Sequence, residues 1–174
     1  MQTRAMVVAL FGALVVANAH AADVSITKVA LRQNSSHNGD NSVIRLQAFF
    51  VTMPPDDVFD ATNGLTIQVK DLGASLGGAG TDVTVAWLAT ECTTVNGRTK
   101  CYAGGKKSVQ VVVKPFAGHP DAFSVAARIR NHNLTGPFEG PVEVTVTDNV
   151  SIVDRVGTIT DCELKLTGLR CRAF

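Results

Sequence analysis

Apolar and polar residues alternate along most of this chain. In GLTIQVKD, Leu65, Ile67 and Val69 fall on one side and Thr66, Gln68 and Lys70 on the other. The same spacing groups Val109, Val111 and Val113 in SVQVVVK, and Val142, Val144 and Val146 in PVEVTVTD. It also groups Phe123, Val125, Ala127 and Ile129 in AFSVAARIR, against Ser124, Arg128 and Arg130. SVIRLQAFF and DVTVAWLA follow suit, with Trp87 joining Val83 and Val85. Successive side chains of a strand point to opposite faces, so this period predicts half-buried antiparallel strands with one face on a core. Turn formers separate the runs: NSSHNGDNS, MPPDD, TNG, GASLGGAG, PFAGHPD and LTGPFEGP. No helical period of useful length occurs beyond residue 21. Residues 24–148 supply about seven strands, which predicts an all-β, immunoglobulin-like antiparallel β-sandwich. That domain spans 22–148, and residues 149–174 add a strand and a hairpin packed on it.

The first strand changes phase. In ADVSITKV and the residues after it, Val24 and Ile26 share one side, but Val29 and Leu31 lie on the other. A bulge at Thr27-Lys28 reconciles them. An edge position is the expectation for 24–31, and through that edge the chain would be able to self-associate.

ECTTVNGRTKC places Cys92 and Cys101 around Asn96-Gly97, a strong signal for a two-residue type I′ turn. Centring the hairpin there sets Val95 opposite Arg98, Thr94 opposite Thr99, Thr93 opposite Lys100 and Cys92 opposite Cys101. That last pair falls on a non-hydrogen-bonded rung, where Cα atoms lie about 4.5 Å apart, within disulfide reach. DCELKLTGLRC repeats the spacing with Cys162 and Cys171 around Leu166-Thr167-Gly168, where Gly168 can take a left-handed position. The spacing predicts two local staples, 92–101 and 162–171, each adding about 2–3 kcal/mol to a hairpin that protrudes from the sandwich. Sequence alone leaves the crosswise connectivities open. Zinc ligands want closer cysteines or histidines, and a redox pair wants Cys-x-x-Cys; neither pattern is present.

The N-terminus bears on compartment. Arg4, the apolar run Ala5–Ala17 and the small-x-small site Ala19-His20-Ala21 form the pattern of a secretory signal peptide over residues 1–21. The expected product is a secreted, periplasmic or cell-surface protein with no membrane span, and its even cysteine count suits that compartment. Arg4 is the only charge in 1–21, so 16 basic and 15 acidic residues become 15 of each. That balance argues against a nucleic-acid partner. The chain ends on a strand-like segment with Phe174, as outer-membrane barrels do. However, Arg170 and Arg172 share that face, and ten aromatic residues are too few for two girdles.

Candidate chemistry is sparse. His119-Pro120-Asp121 lies in a turn without a nucleophile motif nearby. His37 and His132 sit in polar loops. Asp56, Asp57, Asp60 and Asn63 offer oxygens to a calcium ion, yet lack the spacing of an EF-hand loop. Gly73–Gly80 is glycine-rich but lacks the Gly-Lys-Ser/Thr ending of a phosphate loop. Asn34-Ser35-Ser36 and Asn133-Leu134-Thr135 match glycosylation acceptors. No catalytic, cofactor or metal residue is therefore assigned. Arg98, Lys100, Lys106 and Lys107 gather at the first hairpin, and Lys165, Arg170 and Arg172 at the second. Such patches suit acidic polymers or head-to-tail contacts.

DATNGLTIQVKD and AFSVAARIRNHNLTGPFEGPVEVTVTDN resemble repeat-type β-sandwich domains of uncharacterised exported proteins. Those share a GLTV-x-V strand, an F-x-V-x-A-R strand, a Gly-Pro loop and a closing PVTVT-x-x-D strand. The resemblance covers about residues 43–148 and implies an immunoglobulin-like fold with no known activity. AADVSITKV is similar to the start of chaperone-assembled fimbrial subunits, but those carry an early long-range disulfide and a near-terminal Tyr. Here the cysteines are late and local, and the chain ends RCRAF. The function expected is a secreted non-enzymatic module, binding or structural, with a protein or polysaccharide partner. The alternatives are a polymerising fimbria-like subunit that donates residues 24–31, and a small carbohydrate-active hydrolase or binding domain. A hydrolase would need carboxylates, or a His-Asp pair with a nucleophile, converging in one cleft.

Overall fold

The computed structural model describes residues 22–33, 42–55, 57–73, 81–105, 109–130, 134, 136–150 and 153–173. Twelve strands carry the chain. They are β1 (Ala22–Arg32), β2 (Val43–Val51), β3 (Gly64–Asp71), β4 (Asp82–Leu88), β5 (Cys92–Val95) and β6 (Arg98–Tyr102). There follow β7 (Gln110–Phe116), β8 (His119–Arg130), β9 (Val142–Asp148), β10 (Arg155–Ile159), β11 (Cys162–Lys165) and β12 (Gly168–Arg172). The helical pieces are short 3-10 turns, among them Ala61–Asn63 and Ala89–Glu91. The predicted all-β class holds.

The strands form two ladders that share β1. One runs β4-β3-β9-β10; the other runs β12-β1-β2-β8-β7-β6-β5, with β11 beyond β12. Ala22 and Asp23 of β1 pair in parallel with β10, and from Val24 onward the strand runs antiparallel to β2. The two ends of this path, β4 and β5, are neighbours in the chain, joined through Ala89–Glu91, so the sheet curls until it is nearly closed. Trp87, fully buried on β4, bridges the remaining gap by donating its indole N–H to the Val109 carbonyl at 3.2 Å. The inward residues of both ladders make one core, including Leu46 and Phe50, Ile67 and Val69, Val125 and Ile129, and Val144 and Val146. These are the residues the alternation selects.

β1 departs from its expected edge position. It pairs with β2 on one side, and on the other Ala22 and Asp23 pair with β10 and Lys28–Arg32 with β12, so β1 is an interior strand rather than the free edge expected for 24–31. The bulge is present, with the register shifting between Ile26 and Lys28. Thr27, the extra residue, donates its hydroxyl to the Gln47 carbonyl at 3.0 Å, and its own carbonyl accepts Ala173 N–H at 3.1 Å. Val24, Ile26, Val29 and Leu31 are all buried on the strand's inward face.

Both staples form, Cys92–Cys101 and Cys162–Cys171, each with Cα atoms 4.0 Å apart and in the registers the turn arithmetic predicts. Asn96 and Gly97 take φ of 51° and 71°, as a type I′ turn requires. Two details differ. The hairpins do not protrude: β6 pairs with β7 and β12 with β1, which buries Cys101 and Cys171 completely. Gly168 is not left-handed either. It opens β12 opposite Lys165, and a Cβ there would stand 2.0 Å from the Leu31 carbonyl oxygen. Close approach to β1, rather than turn conformation, demands glycine at this position.

Candidate functional site

The most distinctive surface lies on the outward side of β12-β1-β2-β8. The Thr27 bulge creates it. In an unbulged strand of the same sequence Lys28 would share the inward phase of Ile26; with the bulge, Val29 and Leu31 turn inward and Lys28, Ala30 and Arg32 turn outward. Ala30 then becomes the centre of a cationic ring. Arg170 and Arg45 are its cross-strand partners on β12 and β2, and Lys28 and Arg32 stand two residues away along β1. One strand further, Arg128 faces Arg45 and Arg130 faces Val43. These groups border an open hollow of about 830 Å³, closed on one side by the β11–β12 tip, Lys165–Gly168. Among the described residues, no Asp or Glu lines it.

Like charges set directly opposite on a sheet repel, at a cost of about 0.2–1 kcal/mol per pair. Arg45 and Arg128 are such a pair, and no carboxylate among the described residues lies within ion-pair distance of either. The Nε atoms of Arg128 and Arg130 are buried without an acceptor. Of the seven cations lining the hollow, only Lys165 has an ion-pair partner among the described residues, Glu163. The site thus gathers positive charge around the aliphatic side chains of Ala30 and Val43. It can hold oxyanions through charge-assisted hydrogen bonds.

A second concentration of chemistry is internal. Arg155, fully buried on β10, ion-pairs with Asp57 and donates Nη1–H to the Val153 carbonyl at 3.3 Å. Its guanidinium carbon lies 5.2 Å from the Phe50 ring centre and 4.8 Å from that of Phe59. Phe123 completes the aromatic group, 5.5 Å from Phe50 and 5.3 Å from Phe59. This enclosed cluster ties the 57–59 segment to β10 and β2 and serves the fold.

The calcium candidates are drawn apart by the same contacts. Asp57 serves Arg155, whereas Asp60 caps the Ala61–Asn63 turn, accepting from Thr62 N–H at 2.9 Å and its hydroxyl at 2.7 Å. Asp56 lies outside the described residues, as do His37, His132, Asn34, Asn133, Lys106 and Lys107. Most of the glycine-rich run, 74–80, does too. His119 is exposed where β8 begins, opposite Phe116. Arg98 and Lys100 sit on β6, two strands beyond β8 and away from the hollow. Of the basic residues singled out by sequence proximity, Lys165 and Arg170 reach it. Sequence proximity does not group Arg45, Arg32 and Lys28 with them, and alternation alone places Arg128 and Arg130 on the solvent side of their strand. Their shared outward phase on predicted strands is the signal that groups them once strand order is known.

Among the described residues, Glu91 has a clearly displaced titration. Its carboxylate accepts backbone N–H bonds from Leu88 and Gly104, which hold its pKa below the usual 4.5. A depressed carboxylate adds stability above its unfolded pKa and loses it as pH falls through the folded value. Glu91→Gln is therefore expected to flatten the acid limb of the stability curve. Measured by urea unfolding, the difference from the parent chain should shrink as pH drops below 4.5; a difference independent of pH contradicts the assignment.

No family model, curated protein or solved structure matches this chain.

Proposed function

We propose that the protein is an exported, non-enzymatic binding module whose contact surface is the basic outer face of β12-β1-β2-β8. The observation that carries this reading is the cationic ring around Ala30, whose lining among the described residues includes no Asp or Glu; the carboxylate beside it is Glu163, opposite Arg170 on β11 and paired with Lys165. Repulsion within the free protein is relieved when an anionic partner supplies the missing charge. The hollow offers lysine and arginine donors, groups suited to holding an anion and poorly suited to general-base chemistry at neutral pH. Two disulfides suit an oxidising compartment, in keeping with the signal-peptide pattern. In fold terms, we read the two ladders as the layers of an immunoglobulin-like sandwich whose first strand passes from one layer to the other. That reading agrees with the resemblance over residues 43–148.

Heparin is a suitable polyanion probe. The chain is expected to bind it, with affinity falling steeply as salt screens the contact. Arg45→Glu with Arg128→Glu should abolish binding. Lys70→Glu, on the other ladder, should leave it unchanged. Isothermal titration at two salt concentrations reads all three results. Failure of the parent chain to bind any polyanion, or wild-type binding by the double variant, refutes the proposal.

A further inference from the structure

The chemistry of the hollow narrows the kind of anion it takes. Five of its seven cations are arginines: Arg32, Arg45, Arg128, Arg130 and Arg170. A guanidinium is a planar fork that pairs two-pronged with a planar carboxylate, whereas an ammonium acts as a point charge. Among the described residues no aromatic side chain lines the hollow to serve as a platform for stacking nucleotide bases. Its apolar lining is aliphatic, with Ala30 and Val43 on the face and the exposed Leu166 at the tip. The Lys165–Gly168 tip borders the hollow.

Charge spacing points the same way. Arg170, Arg45 and Arg128 lie on one rung that crosses β12, β1, β2 and β8, with Ala30 filling the position between the first two. Neighbouring strands are about 4.8 Å apart, and residues two apart along a strand about 7 Å. The cations are therefore spread over the face rather than packed at one point. A polyuronate, with one carboxylate on each sugar, spreads its charges on a similar scale. Polyphosphate and heavily sulfated chains crowd theirs. The Thr167 hydroxyl, at the rim, can meet sugar hydroxyls.

Building on the anion-binding reading, we infer that the partner is a carboxylate-bearing polysaccharide lying across β12-β1-β2-β8, gripped by Arg170, Arg45 and Arg128. The test uses the full chain with four polymers: polygalacturonate, heparin, polyphosphate and neutral dextran. Polygalacturonate is expected to bind, and at equal salt to bind more tightly than heparin or polyphosphate, because its carboxylates match the guanidinium forks. Dextran should not bind. Arg45→Lys with Arg128→Lys keeps the charge but removes the forks, and should weaken polygalacturonate about tenfold or more. The same variant is expected to melt at the parent temperature, which separates lost recognition from lost folding. If heparin or polyphosphate binds through this face and polygalacturonate does not, the carboxylate assignment is overturned and the anion-binding reading stands. Polygalacturonate binding that the lysine variant leaves unchanged also overturns it. If no polyanion binds, both readings fall.

Discussion

Replacing Asp57 with alanine is expected to destabilise the fold by about 3–5 kcal/mol, because it leaves a buried guanidinium without its counter-charge. Arg155 is fully buried and Asp57 nearly so, and their ion pair spans 98 positions of sequence. The carbonyl of Val153 and the faces of Phe50 and Phe59 remain in Asp57→Ala, but none carries a formal charge to balance the arginine. Removing both members tells a different story. With Arg155→Met alongside Asp57→Ala, no charge is stranded, and an apolar side chain packs among three phenylalanines. The double variant is expected to lose less than half of what Asp57→Ala loses. Urea unfolding of the three variants and the parent closes the cycle. A cost below about 1 kcal/mol for Asp57→Ala would mean that the pair is not buried in solution.

Trp87→Ala is expected to cost a comparable amount, about 3–5 kcal/mol. Trp87 is the largest fully buried side chain, and it sits on β4, where the two ends of the curled sheet approach. Alanine opens a cavity and orphans the Val109 carbonyl that the indole N–H satisfies. Trp87→Phe separates these terms. It retains most of the volume and loses the hydrogen bond, so it should cost much less than alanine. Equal losses for the two variants in thermal unfolding would assign the effect to the hydrogen bond rather than to packing.

Much of the fold was legible because period-two alternation is a local signal. The inward sets Leu65, Ile67, Val69 and Val142, Val144, Val146 are buried as their spacing requires. Both cysteine couples followed from turn arithmetic, since a hairpin fixes its register within ten residues. The bulge at Thr27 was legible for the same reason. What lay hidden depends on strand order. Residues 24–31 carry no mark of two covered flanks, and β10 and β12, which cover the second flank, come from the far end of the chain. Arg155 shares its phase with Ile159 and so reads as inward, yet nothing near it in sequence names Asp57 as its partner. The basic hollow was obscured for the same reason. Lys28, Arg45, Arg128 and Arg170 come from four strands, and grouping charges by sequence proximity favours the Arg98–Lys107 cluster instead.

Binding at the hollow is most directly located by amide chemical shifts recorded while polygalacturonate is added to the isotope-labelled chain. The shifts are expected to concentrate in residues 28–32, 43–47, 128–130 and 165–170, with β3, β4 and β9 unmoved. Perturbations centred on those three strands, or none at saturating polymer, would contradict a binding site on the face of β1.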